Sequence, residues 1–219
     1  LGLISAFANG TKRVKSRTAS AAVSPMTYSR LTLYRGRESY IIDDAKAIDV
    51  FFGLREDIER LSLANYFCEL AGEFSPENTE AHEFLSLTLN LLHLLSEDKR
   101  SADFLKPVGE LRMLALAGYM PDLVGCQACG NELPDEPVFS LRHAGFFCRG
   151  CAPDGEGEPV TPGVINAMRH ICTCDDRALF AFRMPDSSLK ILGDITEQYL
   201  LLQLGHKLRT LDFYKSIKM

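Results

Sequence analysis

Four cysteines arranged as two CxxC pairs constrain the fold of this chain more than any other feature. Cys126 and Cys129 form the first pair, Cys148 and Cys151 form the second, and eighteen residues separate the pairs. This spacing is typical of a zinc site, because each pair presents two thiolates at the bite that tetrahedral zinc needs. Four thiolates also fill the coordination shell and leave no position for a catalytic water. The spacing therefore predicts a structural zinc finger, which we place in an insert over residues 123–160.

Other interpretations of the cysteines agree less well with the sequence. A zinc deaminase has a proline directly before its CxxC pair, whereas Gly125 precedes Cys126 here. The odd total of seven cysteines argues against a disulfide-bonded secreted protein. Cys172 and Cys174 are expected to be small buried residues at a helix end, with extra metal ligation or a reactive thiol as the alternative. Cys68 lies on an apolar helical stripe and is expected in the core.

Enzyme motifs are missing from the sequence. We find no P-loop, no Rossmann glycine fingerprint and no HExxH zinc-protease motif. None of the five histidines stands at motif spacing from a serine or cysteine nucleophile. We therefore do not expect an enzyme. A zinc-dependent hydrolase stays open as an alternative function. It requires a metal site with an open position, and therefore a ligand set other than four sulfurs.

Charge is distributed very unevenly along the chain. The net charge is −5, but residues 1–40 hold seven cations against the single acid Glu38, which gives +6 there and −11 in the remainder. Such asymmetry is typical of a polyanion-binding segment on an acidic body. A solubilising basic loop is the alternative. The candidate DNA-binding residues are Lys12, Arg13, Lys15, Arg17, Arg30, Arg35 and Arg37.

The first 44 residues have the pattern of β-structure. Leu1–Phe7 reads as a strand, and a basic loop over residues 11–22 follows it. Alternation over Ser29–Arg35 and a second run over Glu38–Asp43 predict a hairpin that turns at Gly36. Tyr28, Tyr34 and Tyr40 interleave with the cations, an arrangement typical of a small barrel that holds single strands, although ordinary surface tyrosines give the same pattern.

Helical spacing begins at about residue 45. One helix is predicted around Leu54–Ala71, a second over Thr79–Ser96, and a third with Pro107 in its first turn and Gly118 at its end. After the insert, Thr161 and Pro162 predict the start of a helix that continues through Ile171. A final helix is predicted over Ser188–Thr210. Its expected inner stripe is Ile191, Ile195, Tyr199, Leu202 and Leu208, and its expected last turn holds His206, Lys207 and Arg209.

The termini and apolar runs predict a location in the reducing cytoplasm. Leu1–Phe7 lacks the basic leader and cleavage site of a signal peptide. Because the first residue is Leu1 and not methionine, we expect a truncated or processed N-terminus. The longest apolar stretch, Phe84–Leu95, is too short and too polar for a bilayer span.

Taken in order, these segments resemble the RecO family of bacterial recombination and repair mediators. The basic loop, strands, helical body, CxxC insert and closing helix follow the order of that family. Four stretches that together span nearly the whole chain carry the resemblance: GTKRVKSR, YFCELAGEF, ELRMLALAGYMPDLVGCQACG and ITEQYLLLQLGHKLRTLDFYKSI.

The resemblance implies an α+β chain with an N-terminal OB-fold-like β-barrel and a helical C-terminal domain that carries the four-cysteine zinc finger. The expected divisions are a partial, DNA-binding OB-fold over 1–44, a helical domain over 45–122, the zinc-finger insert over 123–160 and closing helices over 161–219. Because the family begins with a strand region ahead of the one at Leu1, the barrel is expected to be truncated, with an exposed edge.

The resemblance also implies a function. RecO-like proteins bind single- and double-stranded DNA, anneal complementary strands, and act with RecR to load RecA onto DNA coated by single-stranded-DNA-binding protein, whose acidic C-terminal tail they contact. They are not enzymes, and we expect a protein associated with the bacterial nucleoid. By similarity, the family's basic loop falls on Lys12, Arg13, Lys15 and Arg17, and its zinc ligands fall on the four spaced cysteines.

An interaction adaptor is the alternative function. In that case the helical body and the insert dock RecR or the coating protein, and DNA contact is secondary. A chain without residues 1–40 would then keep its partner binding.

Overall fold

The structure is a computed structural model that describes residues 1–7, 21–36, 39–132, 134, 136–155 and 157–218. The predicted basic loop with Lys12, Arg13, Lys15 and Arg17 lies outside the described residues, as does Arg37. Within the described residues the chain has a mixed α+β fold with six α-helices and two three-stranded sheets. None of the described helices has an apolar run long enough to cross a bilayer.

Two compact units divide the chain. The first is Leu1–Lys99 together with the chain end from Phe213, and the second is Arg100–Asp212. The strands of the first unit are β1 (Ala6–Phe7), β2 (Tyr28–Arg35) and β3 (Tyr40–Asp49), followed by a 3-10 turn (Phe52–Arg55) and the helices α1 (Ile58–Phe74) and α2 (His82–Ser96). The second unit contains α3 (Ala102–Leu116), β4 (Pro137–Ser140), β5 (Gly145–Cys148), β6 (Glu158–Pro159), α4 (Pro162–Thr173) and α5 (Asp186–Leu204). The last helix, α6 (Arg209–Ile217), contributes residues to both.

The predicted hairpin is confirmed. β2 and β3 pair antiparallel from Tyr28 opposite Asp49 to Arg35 opposite Tyr40, and the N–H of Gly36 donates to the carbonyl of Ser39 at 2.9 Å. β3 continues to Asp49 instead of ending at Asp43, because β2 supplies pairing partners along that whole length. The helical pattern expected from residue 45 therefore starts later.

The sheet of the first unit leaves both of its long strands accessible. β1 pairs in parallel with β3, so the strand order is β1-β3-β2 and β2 is an edge among the described residues. No residue of β2 or β3 is buried, and the Tyr34 side chain is 66% exposed. The described strands form an open sheet and not a closed barrel.

The core of the first unit lies between α1 and α2. Asp57 caps α1 by accepting a hydrogen bond from the N–H of Arg60 at 2.9 Å. Tyr66, Phe67 and Leu91 are fully buried. Tyr214 from the chain end is 2% exposed, and its hydroxyl donates to the Glu59 carboxylate at 3.4 Å. Residues far apart in the sequence thus complete this core.

Replacing Gly53 by alanine is expected to lower the free energy of unfolding by about 1–3 kcal/mol, the usual range for overpacking. A Cβ at this position would lie 2.0 Å from the carbonyl oxygen of Ser96, and a backbone atom has little room to yield. Urea unfolding followed by circular dichroism measures the change. Gly72 in α1 is the control, because a Cβ there meets nothing within 4 Å, so Gly72→Ala should stabilise by about 0.5–1 kcal/mol. Equal effects of the two substitutions would contradict the prediction.

The sequence predicted one helix start of the second unit correctly and another incorrectly. Thr161 caps α4 as predicted, since its Oγ1 accepts from the N–H of Val164 at 3.3 Å. Pro107 was expected in the first turn of α3, but the helix begins at Ala102 and Pro107 lies inside it. Phe104 and Leu105 are buried, and their packing extends the helix by a turn ahead of the proline. Pro107 has no N–H to donate within the helix.

The predicted final helix is in fact two helices. α5 ends at Leu204, and Gly205 follows in the left-handed conformation with φ 71°, the usual helix stop. His206 and Lys207 therefore lie in the connection and Arg209 begins α6, so the prediction of a last turn containing them was wrong. Ile195 and Tyr199 are buried as expected. Leu202 is 54% exposed and does not belong to the inner stripe.

A charged cluster lies in the core of the second unit. The Lys106 ammonium of α3 is 2.7 Å from the Glu110 carboxylate, one turn on, and 2.8 Å from that of Glu197 in α5. The Thr196 hydroxyl donates to the other Glu110 oxygen at 2.8 Å. Glu110 and Thr196 are fully buried. Burial alone lowers the pKa of Lys106, but the two carboxylates outweigh it and raise the pKa above its ordinary value.

Candidate metal centre and nucleic-acid-binding strands

The four predicted zinc ligands come together in space. The sulfur atoms of Cys126, Cys129, Cys148 and Cys151 all lie within 4.8 Å of one another. The Cys129 and Cys148 sulfurs are 3.5 Å apart. That separation is too long for a disulfide and close to the roughly 3.8 Å expected between thiolates about 2.3 Å from a tetrahedral zinc. The donor set and its spacing are those of a closed four-sulfur metal site.

Local backbone geometry builds each cysteine pair. In the first pair, the N–H of Gly130 donates to the carbonyl of Cys126 at 2.8 Å, and Gly130 has a φ of 75° that favours glycine. In the second, the N–H of Ala152 donates to the carbonyl of Cys148 at 3.1 Å. β5 ends at Cys148, so this strand positions the second cysteine pair beside the first cysteine pair.

Backbone N–H groups stabilise the thiolate form of one of the four cysteines. The N–H of Cys148 points at the Cys126 sulfur from 3.3 Å. Burial raises the pKa of Cys126, but hydrogen bonds from the backbone of Cys148, Cys129 and Ala128 outweigh it and lower this pKa to about 6. Burial and hydrogen bonding with the neighbouring sulfurs raise the pKa of Cys148 to about 12. Four cysteine sulfurs this close together bind a metal as thiolates, and a bound cation is what would stabilise that charge.

Arg169 of α4 binds the cysteine segment through its side chain. Its guanidinium donates to the carbonyls of Leu123 at 2.6 Å, Val124 at 2.9 Å and Glu132 at 2.7 Å. It also lies over the Phe146 ring of β5, 5.6 Å from the ring centroid. Sequence reasoning missed this residue, since an arginine on an amphipathic helix carries no signal that it binds carbonyls more than thirty positions away.

The remaining cysteines stay out of the cluster. Cys172 is buried at the end of α4, and burial raises its pKa to about 12. Its thiol is therefore protonated near neutral pH, which favours the core interpretation over a reactive thiol. Arg112 donates to the carbonyls of Ile171 and Cys172 at 3.2 and 3.0 Å and so completes the end of this helix.

Two of the predicted DNA-binding cations lie in the described sheet. Arg30 and Arg35 are both exposed on the edge strand β2. Arg30 stands directly opposite Lys46 of β3, a cation that sequence reasoning did not single out. Like charges at such a position are destabilising unless an anion lies between them. Tyr28 and Tyr40 are half-buried at the two ends of the ladder.

Comparison with known proteins identifies the family to which this chain belongs. The model of the recombination protein O C-terminal region matches residues 55–212, and that of its N-terminal region matches residues 1–51. The chain is 32% identical to the DNA repair protein RecO of Acetivibrio thermocellus over 217 residues, which cover 99% of this chain and 86% of that protein. It is also 32% identical to the RecO protein of Desulforudis audaxviator, with the same coverage. The chain thus belongs to the RecO family and has a role in recombinational DNA repair.

Proposed function

We propose that this protein is a DNA-binding recombination mediator. It binds single- and double-stranded DNA, anneals complementary strands and, together with RecR, helps load RecA onto DNA coated by single-stranded-DNA-binding protein. The observation that carries the proposal is the concentration of seven cations against one acid in residues 1–40 of a RecO-family chain. The proposed location of such a protein is the nucleoid in the bacterial cytoplasm.

The DNA site of this proposal is the basic loop together with β2, the edge strand that follows it in the sequence. We assign Lys12, Arg13, Lys15 and Arg17 to phosphate contacts and regard the strands as part of an OB-fold over residues 1–44. The described strands β1, β2 and β3 pair in one sheet, which supplies three strands for this proposed fold. Arg30 and Arg35 extend the cationic surface along β2, and the exposed Tyr34 ring offers a base a stacking surface.

Zinc is the metal that we propose for the four-sulfur site. Four cysteine thiolates in a closed arrangement select zinc among common intracellular cations. The ion would supply positive charge and tetrahedral bonds that join the two cysteine pairs. The protein's own contribution is the pair of turns at Gly130 and Ala152 and the Arg169 contacts that hold the segment against α4.

The adaptor alternative has one observation in its favour. Among the described residues of β2 and β3, the cations Arg30, Arg35 and Lys46 are matched by three acids. These acids are Asp43, Asp44 and Asp49. The described sheet is therefore electrically neutral, and the proposed DNA affinity depends on the basic loop. As an adaptor, the chain would dock RecR or the acidic tail of the coating protein through its helical and zinc regions.

Replacement of the four loop cations by alanine is expected to remove most single-stranded DNA binding. If the loop neutralises about four phosphates, the slope of log affinity against log salt is near −3, and the variant's slope is shallower by about that amount. Fluorescence anisotropy with labelled oligonucleotides across a salt series measures both. Circular dichroism verifies that the fold is retained.

The matched control removes the same charge from exposed positions of the second unit. The control substitutions are Arg142→Ala, Arg177→Ala, Arg183→Ala and Lys190→Ala. This variant should keep nearly the full salt slope. Equal losses in both variants would mean that net charge alone decides binding, and undiminished binding by the loop variant would favour the adaptor.

A further inference from the structure

An open groove of about 490 Å³ lies on the first unit. It runs beside α1 and α2, and its lining is mostly apolar. The lining includes Leu1, Leu3, Ala71, Gly72, Phe84 and Leu85. Leu1, Leu3 and Leu85 remain 63%, 46% and 51% exposed, although each is large and apolar. Apolar surface that stays open in a concave site is typical of a binding site for another chain.

Gly72 has no structural reason to be glycine. It lies in the last turn of α1 without a left-handed backbone, and a Cβ there meets nothing within 4 Å. Glycine within a helix costs about 0.5–1 kcal/mol relative to alanine. What the missing side chain does provide is space in the groove, which lets a second backbone approach the helix closely.

Glutamates predominate among the charged residues of the helical segment that lines the groove, where the histidine His82 also lies. Residues 61–97 contain six glutamates and neither lysine nor arginine. Glu80 lines the groove itself. An adjoining polar cleft of about 410 Å³, which shares Leu3 with the groove, is lined by Glu77 and by the cation Arg35. At the groove itself, the glutamates of residues 61–97 favour a cationic ligand over an acidic segment.

We propose that this groove binds a partner segment of basic, amphipathic character, in which apolar side chains enter the groove and lysines or arginines face the glutamates. Leu85 and Phe84 supply the apolar contact, Gly72 admits the partner's backbone, and Glu80 selects for positive charge. An acidic peptide such as the tail of the coating protein is excluded from this surface by charge.

The direct test is binding of a fluorescein-labelled helical peptide of leucine and lysine, measured by fluorescence anisotropy, with the same peptide carrying glutamate for lysine as the charge control. The lysine peptide is expected to bind saturably and the glutamate peptide at least about tenfold more weakly. Equal binding of the two peptides would overturn the proposed charge selection.

Gly72→Leu is the variant that localises binding to the groove. A Cβ at this position meets nothing within 4 Å and Gly72 lines the groove, so a leucine side chain should fill part of the groove. Affinity for the lysine peptide should then fall about tenfold while the melting temperature does not fall. Gly193→Leu in α5 is the matched control, because a Cβ at this helical glycine also meets nothing within 4 Å and the residue lies in the other unit. Unchanged binding by Gly72→Leu, or an equal loss in the control, would overturn the proposal.

A second pair of variants separates charge from shape. Glu80→Lys is expected to weaken binding of the lysine peptide, whereas Glu56→Lys, an exposed acid that does not line the groove, is expected to leave it unchanged. The assay is repeated on the full product of the gene, since the curated relatives are longer than the stretch matched here. Loss of peptide binding in that protein would show that its own chain fills the groove and would overturn the proposal.

Discussion

Replacing Cys126 by serine is expected to abolish stoichiometric zinc binding and to unfold the cysteine segment while the helices stay intact. Cys126 is the most buried of the four ligands, and the backbone N–H of Cys148 points at its sulfur. A closed four-cysteine site contributes on the order of 10 kcal/mol of local folding free energy, more than the few short strands of the insert can replace. This is the largest single effect that we expect from any substitution in the chain.

Two measurements verify this result. Elemental analysis should find one zinc per wild-type chain and none in Cys126→Ser. Hydrogen exchange followed by mass spectrometry should show lost protection over residues 123–160 and retained protection in α4 and α5. Cys174→Ser makes the same chemical change outside the cluster and should keep its zinc. Full zinc occupancy in Cys126→Ser would mean that another residue replaces the ligand, which would contradict the proposed closed site.

Replacing Lys106 by methionine is expected to destabilise the protein by about 3–5 kcal/mol, the usual effect of removing one partner from a buried ion pair. Glu110 has no exposed surface, so the substitution removes the cation from a carboxyl group that water cannot reach. Because neighbouring carboxylates raise the pKa of Lys106, its stabilising effect is complete at neutral pH and is lost only as the pH rises through that raised pKa in strongly alkaline solution.

The double variant Lys106→Met with Glu110→Gln tests this explanation. Replacing both side chains should recover a substantial part of the lost stability, since a neutral amide is far cheaper to bury than a carboxylate that has lost its ion pair. Lys190→Met on the exposed surface of α5 is the control and should change the free energy of unfolding by less than about 0.5 kcal/mol. A double variant as unstable as the sum of its two single variants would rule out coupling between these residues.

Features that depend on neighbouring residues could be predicted from the sequence, whereas features that depend on distant residues could not. The cysteine pairs and the Thr161 cap are local signals, and the structure confirms both. The cluster at Lys106 was missed, because an i,i+4 pair of lysine and glutamate resembles a solvated helix surface. Its burial depends on Glu197, which lies 91 residues away from Lys106.

Helix ends were harder to predict for the same reason. Pro107 suggested a helix start, but the buried Phe104 and Leu105 ahead of it extend α3 toward the N-terminus. Gly205 was passed over because apolar residues continue beyond it, although its left-handed backbone ends α5. The DNA-binding role of the loop cations Lys12, Arg13, Lys15 and Arg17 stays a prediction, since these residues lie outside the described part of the chain.

The burial of Tyr214 in the first unit has a consequence for biosynthesis. N-terminal domains ordinarily fold while the ribosome is still making the remainder of the protein. Here the α1 and α2 core is completed by a side chain that is translated more than a hundred residues later, after the entire second unit. The nascent first unit therefore waits with exposed apolar surface until residues 213–218 emerge. Ribosome stalling or cleavage near the C-terminus would damage the first unit first.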